Sequence, residues 1–401
     1  MMSDRPGLLP PALERRLADL SPWPDRAPPI EAAEHATRIA ALRLRMARHG
    51  LDALLVGAGP SLRYLCGLGW GATERLVAML LVGDEAPRLV CPAFELGSLE
   101  RALTLPVAPM PWEEDEDPAV LVASALPRGA RLGLDPELPI RVGWALRRAA
   151  PGLVLADGAA PIEEGRRRKS PAELALMRQA MRITEAVQRL AAAALEPGIA
   201  AGTVRRFIDG AHRALGATDG SSFCAVQFGR ATAFPHGIPG EQHLQARDLV
   251  LVDTGCVLHG YHSDITRTFC FGAPDAAEER VWWIEREAQA AAFAAVRPGV
   301  PAEAVDAAAR GVLERHGLGP GYGLPGLPHR TGHGIGLSIH EPTYIVRGER
   351  TLLEPGMCFS IEPMIVVPDR FGVRLEDHVV VTDTGAEWFT APLDSIAGPS
   401  G

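Results

Sequence analysis

The residues best suited to chemistry lie in the second half of the chain. Ten of the 12 histidines fall after position 200. Beside them stand carboxylates in settings that disfavour carboxylates. Asp253 ends the apolar run "DLVLVDTG", and Glu362 lies inside "CFSIEPMIVV". Burying an ionised carboxylate is very unfavourable unless a base or a metal ion compensates it. Ten residues separate Asp253 from Asp264, with Gly255 and Gly260 available for a turn. Two strands joined this way run antiparallel and bring both carboxylates together, so that one keeps a proton or a cation sits between them. Glu376, in "GVRLEDHVVV", is a fourth carboxylate in a strand-like segment. Four carboxylates with one imidazole form a hard, oxygen-rich donor set whose charge matches two divalent cations, with Mn²⁺, Co²⁺ or Zn²⁺ fitting. Two such ions roughly 3.5–4 Å apart can share a hydroxide at neutral pH, a hydrolytic nucleophile.

The stretch "RTGHGIGLSIHEP" carries His333 and His340, seven residues apart. Gly332, Gly334 and Gly336 disfavour a helix here, and in a strand an odd spacing separates the faces. Spacing alone leaves open whether both, one or neither binds a metal. Each residue also has an ordinary reading. Asp253 suits a turn, Asp264 an ion pair with Arg267, Glu376 a solvated pair with Asp377, and His333 a loop histidine.

Elements must position these groups. A chain of 401 residues exceeds one usual core and predicts two domains. With 47% hydrophobic and 22% charged residues it is globular in composition. The net charge of −9 offers no basic patch for nucleic acid and argues against an anionic membrane surface. "MMSDRPGLLPP" has no apolar core of a secretory signal, and no apolar run reaches the roughly 18–20 residues of a membrane helix. Six scattered cysteines without a CxxC pair predict reduced thiols in a cytoplasmic protein. The first ~25 residues, rich in Pro and charge, predict a surface wrap. Residues 30–50 predict a helix with Ile39, Leu42 and Met46 inward, and 51–57 a strand followed by a turn at Pro60. Further strands are predicted at "LVAMLLVG", "RLVCPA" and "RLGLDPE", a loop at 111–118, and a helix at "RVGWALRRAAPG". At the domain boundary Ser170, Pro171 and Glu173 predict a capping box opening a long helix. After residue 170 the order helix, helix, strands occurs twice.

The ordered set "DTG…SDITRT", "TGHGIGLSIHE", "SIEP" and "RLED" resembles the metal-dependent peptidases of the pita-bread fold, which include methionine aminopeptidases, aminopeptidase P and prolidases. The resemblance is strong over about residues 165–395. The first 160 residues look like the creatinase-type amino-terminal domain, with weaker signals such as "RYLCGLG". It implies an α+β two-domain chain: a creatinase-like α/β domain over 1–165 and a pita-bread catalytic domain over 166–401. It implies Asp253, Asp264, His333, Glu362 and Glu376 as five ligands of two metals, with Asp264 and Glu376 bridging and Glu362 doubling as proton shuttle. His340 matches the histidine that steadies the tetrahedral intermediate. His236, in "TAFPHGIPG", matches one near the substrate's proline. Arg374 matches an arginine that steers substrate, and Tyr261 a pocket wall. Ser338 stands where many members carry an acidic residue. His243, His259, His262, His329 and His378 match no ligand position, and Arg370 is a candidate second arginine.

The implied activity is hydrolysis of the Xaa-Pro bond in dipeptides, by a homodimer carrying two divalent ions, Mn²⁺ first. The competing expectations are an aminopeptidase P acting on longer peptides, a metal-free creatinase-like hydrolase and a non-catalytic binding module. A methionine aminopeptidase would not need the first 160 residues.

Overall fold

The computed structural model describes residues 9–399. Most of the amino-terminal stretch read for a secretory signal, residues 1–8, lies outside them. The chain forms two compact units, one of Pro29–Arg167 and one that joins Arg168 onward to the segment through Pro28. The expected division at 165 therefore differs at the start of the chain. The first helix, α1 (Pro11–Ala18), packs on a helix of the second unit.

The Pro29–Arg167 unit runs α2 (Ala32–Arg48), β1 (Ala53–Gly57), α3 (Pro60–Cys66), β2 (Ala78–Val82), β3 (Arg88–Pro92), α4 (Leu96–Ala102), β4 (Ala108–Trp112), α5 (Pro118–Ser124), β5 (Arg131–Leu134), α6 (Ile140–Ala149), β6 (Val154–Asp157) and α7 (Ala159–Arg167). Its sheet has the order β4-β3-β2-β1-β5-β6 and is mixed, with β1–β2 and β2–β3 antiparallel and the remaining pairs parallel. Ile39, Leu42 and Met46 of α2 are buried, as their spacing requires. Pro60 opens a helix instead of a turn, because proline's fixed φ suits the first helical position. The acidic 111–118 stretch is shorter as a loop than expected. Pro111 and Trp112 finish β4, and Asp117 caps α5 by accepting from the Ala119 amide.

The second unit continues with α8 (Pro171–Ala193), α9 (Ala201–Leu215), β7 (Ser221–Phe228), β8 (Leu249–Leu258), β9 (Tyr261–His262), β10 (Ile265–Cys270), α10 (Ala276–Ala295), α11 (Ala302–Arg315), β11 (Gly332–Gly334), β12 (Glu341–Ile345), β13 (Cys358–Ile361), β14 (Met364–Val367), β15 (Phe371–Arg374), β16 (Asp377–Val381) and β17 (Ala386–Trp388). Ser170 and Glu173 form the expected capping box at α8. Helix pair and sheet alternate twice, α8–α9 with the β10-β8-β7 sheet and α10–α11 with the β12-β11-β13-β16-β17 sheet. A bridge between Thr266 and Glu376 joins the two sheets. Ala288, Ala292, Val305, Ala309 and Val312 of α10 and α11 pack on Phe359, Ile361 and Val379 to form the core beneath the second sheet. No helix among the described residues is long and apolar enough to cross a membrane.

Candidate metal centre

The inter-sheet bridge brings distant carboxylates together. β8 and β10 pair antiparallel with Asp253 opposite Thr266, so the turn through β9 returns Asp264 to the neighbourhood of Asp253. Glu376 donates its amide to the Thr266 carbonyl, and the Thr266 hydroxyl donates to Glu376 Oε2 at 2.7 Å. Glu362 follows β13, its amide held by the Thr331 carbonyl and its Oε1 accepting from Ser360 Oγ at 3.1 Å. His333 lies on β11 between these segments.

The His333 ring states the site's chemistry. Its Nδ1 lies 3.0 Å from the Gly334 carbonyl oxygen, which can only accept, so Nδ1 carries the proton. Nε2 is then a lone pair. It faces Glu362 Oε1 at 3.2 Å, Asp264 Oδ2 at 3.6 Å and Glu376 Oε1 at 3.8 Å. Burial and the neighbouring His378 and His340 hold the imidazole well below its usual range, so it stays neutral. An imidazole lone pair and three carboxylates thus converge with too few donors between them. Asp253 Oδ1, Asp264 Oδ1 and Glu376 Oε1 are buried without a hydrogen-bond partner. Burial and mutual repulsion push Asp264 and Glu376 well above the ordinary carboxylate range. Burial raises Glu362 to about 7, with Arg374 opposing and Asp253 adding to the rise. Such a set is relieved by protons or by cations, and its oxygen-rich donors fit divalent ions.

Asp264, His333, Glu376 and His378 each offer a donor atom within 4.8 Å of the others. His378, expected to lie outside the ligand set, therefore belongs to the cluster. It is fully buried, and burial pushes it down to about 3. A signal for it exists in the sequence, since residues two apart on an extended segment share a face and His378 follows Glu376 by two.

Residues 175–383 match the model of metallopeptidase family M24, and residues 38–167 match the creatinase/prolidase N-terminal domain. The probable dipeptidase PepE of Mycobacterium tuberculosis is 38% identical, over 89% of this chain and 94% of that one. The solved structure of dipeptidase PepE from Mycobacterium ulcerans is 36% identical with a TM-score of 0.86, covering 92% of this chain and 98% of that one. A prolidase structure from Thermococcus sibiricus is 29% identical with a TM-score of 0.83, covering 90% and 98%. The chain belongs to metallopeptidase family M24. Its architecture is the pita-bread catalytic fold preceded by a creatinase-type domain.

For an M24 peptidase the placement of the remaining expected residues is informative. His340 stands edge-on to His333, ring centroids 4.3 Å apart, with an exposed side. Burial, then the Arg330 charge, lowers its pKa. His236 is exposed on the loop after the short helical turn Gly229–Ala233. Arg374, expected to steer substrate, ends β15 beside the carboxylate cluster. It is buried, with Nη2 donating to Asp253 Oδ2, Nε to Thr266 Oγ1 at 3.1 Å and Nη1 to the Pro235 carbonyl at 3.2 Å. It acts as the cluster's counter-charge. Tyr261, expected as a pocket wall, lies on β9. It is buried and donates to Glu173 Oε1 of the α8 capping box at 2.9 Å.

Arg267 pairs with Asp377 at 2.6 Å, not with Asp264, and also donates to the Glu376 carbonyl at 2.8 Å. Gln289 of α10 holds the other Asp377 oxygen at 2.9 Å. Gln289 also donates to the Leu375 carbonyl at 3.1 Å, so that buried contacts clamp the backbone on both sides of Glu376. Gly332 is needed for close packing, since a Cβ there would lie 1.9 Å from the Ser360 carbonyl oxygen. The glycines of this stretch thus admit a neighbouring strand. Arg370 is an exposed partner of Asp275.

Proposed function

We propose that this chain hydrolyses Xaa-Pro peptide bonds, preferentially in dipeptides, at a centre in which Asp253, Asp264, His333, Glu362 and Glu376 would hold two divalent ions. The observation that carries the reading is the neutral His333 Nε2 aimed at three carboxylates. Such ions would supply an activated water and polarise the scissile carbonyl. Mn²⁺ is the first choice for so oxygen-rich a site, with Co²⁺ or Zn²⁺ accepted.

The chain's own residues do the rest. Glu362, facing His333 Nε2 and accepting from Ser360 Oγ, is placed to take a proton from the attacking water and return it to the leaving nitrogen. His340 donates a hydrogen bond to the oxygen that gains charge in the transition state. His236 lines the proline side. A prolyl amide lacks an N–H and has a fixed φ, so a site built for it does not need the backbone donor that ordinary peptidases recognise. The prolidase among the similar structures supports this specificity. A homodimer, and a reducing compartment such as the cytoplasm suited to the six free cysteines, belong to the same reading.

The test compares an Xaa-Pro dipeptide with an Xaa-Pro-Xaa tripeptide after Mn²⁺ loading, with metal content measured. A higher kcat/KM on the dipeptide and two metals per chain are expected. Faster tripeptide cleavage would make the enzyme an aminopeptidase, and cleavage of neither by metal-loaded protein would refute the reading.

A further inference from the structure

A peptidase that prefers Xaa-Pro dipeptides must recognise what longer peptides lack, the free carboxylate on the proline. That requires a cation near the site whose donors are not already committed. Arg374 is committed to Asp253, Thr266 and Pro235. Arg267 is committed to Asp377 and to the carbonyls of Glu376 and Ala391. Arg310 bonds Asp306 and the carbonyls of Gly321, Leu327 and His329. Lys169 is buried facing Glu341 at 3.5 Å.

Arg330 is different. It precedes His333 by three residues, and its backbone is anchored where the Thr331 amide donates to the Ile345 carbonyl. Its guanidinium carbon lies 4.4 Å from the ring centroid of Tyr344 on β12. The side chain is half-buried, and among the described residues its guanidinium has neither an ion pair nor a hydrogen bond. A stacked guanidinium is pre-organised and presents a planar fork that matches a carboxylate bidentately. Its charge is felt at the catalytic end of the site, being among the causes that lower His340, His333 and Glu362.

We propose that Arg330, stacked on Tyr344, receives the free carboxylate of the substrate's proline and so selects dipeptides over longer peptides. The role rests on the Xaa-Pro reading above and assigns to Arg330 the carboxylate recognition that Arg374, buried and paired with Asp253, is not exposed to perform. Tyr344 is a positioning residue, acting by holding the fork in place.

The experiment pairs an Xaa-Pro dipeptide with its carboxamide, which keeps the scissile bond and removes the charge. In the metal-loaded enzyme, Arg330→Gln should lower the acid-to-amide ratio of kcat/KM about ten- to a hundredfold, the range of a charge-assisted hydrogen bond. The change should fall in KM, because ground state and transition state share the interaction. Arg330→Lys should restore part of the ratio, and Tyr344→Ala should lower it by less than Arg330→Gln does. Calorimetric binding of L-proline against prolinamide should show the same selectivity without turnover. Equal loss on acid and amide, or a fall in kcat with KM intact, would overturn the role of Arg330 and leave the Xaa-Pro reading standing. If the wild-type enzyme cleaves neither substrate, the Xaa-Pro reading itself falls and Arg330 falls with it.

Discussion

Replacing Glu362 with Gln in metal-free protein tests the electrostatics of the site. Burial raises the Glu362 carboxyl from 4.5 to about 7. Between those values the folded protein holds a proton that the unfolded chain has released. The unfolded state then binds fewer protons, so Glu362 makes the protein less stable as pH rises through that window. The rise from 4.5 to about 7 corresponds to roughly 3 kcal/mol once pH passes the upper value. Gln does not titrate, and its amide can supply the donor that the protonated acid supplied. Buried histidines such as His212, at about 4, and His378, at about 3, act in the opposite sense below pH 6.5. They are common to both proteins and drop out of the difference. Metal-free E362Q should therefore gain on metal-free wild type by about 3 kcal/mol as pH rises from 4.5 to 8, or roughly 4 °C in Tm for a chain of 401 residues. Thermal unfolding in chelator at pH 5, 6, 7 and 8 measures it. A gap that stays flat over that range would refute the reasoning. Saturating Mn²⁺ should close or reverse the gap, because ions bound to the native state compensate the carboxylates.

Two further outcomes follow from the same geometry. Metal-loaded E362Q should keep most of its metal and lose about 10²–10⁴-fold in kcat, and unchanged turnover would remove Glu362 from proton transfer. His340→Ala should lower kcat about 10²–10³-fold with metal content still at two per chain, measured by atomic absorption, whereas a halved content would make His340 a ligand.

The difference between what was legible and what was not follows the range of the forces involved. The α8 capping box is written in Ser170 and Glu173, three residues apart, and reads directly. So does the antiparallel return of β8 into β10, which the turn glycines and apolar runs encode locally. Pro60 misled because a proline after a strand suits both a turn and a helix start, and only packing of Leu62 and Leu65 into the core favours the helix. At the site, carboxylates inside apolar runs announced themselves, because an uncompensated buried charge is too unfavourable to persist.

Side-chain partners were not legible in this way. Arg267 finds Asp377 across 110 residues of chain, and Arg374 finds Asp253 across 121. A nearby acid such as Asp264 is the natural guess from sequence, yet the bridge between Thr266 and Glu376 decides which acid each arginine meets. Tyr261 likewise meets Glu173 across 88 residues of chain, where β9 packs on α8. The sequence by itself determined the inventory: four carboxylates and a histidine rich in glycine neighbours, on strands, with too little local compensation. Only the tertiary structure decided that Nδ1 of His333 is spent on a carbonyl and Nε2 is left for the cluster, that His378 joins it, and that Arg374 is consumed while Arg330 is free. Donor type is a property of a residue, whereas a committed or uncommitted donor is a property of contacts between segments that meet only when the two sheets close on each other.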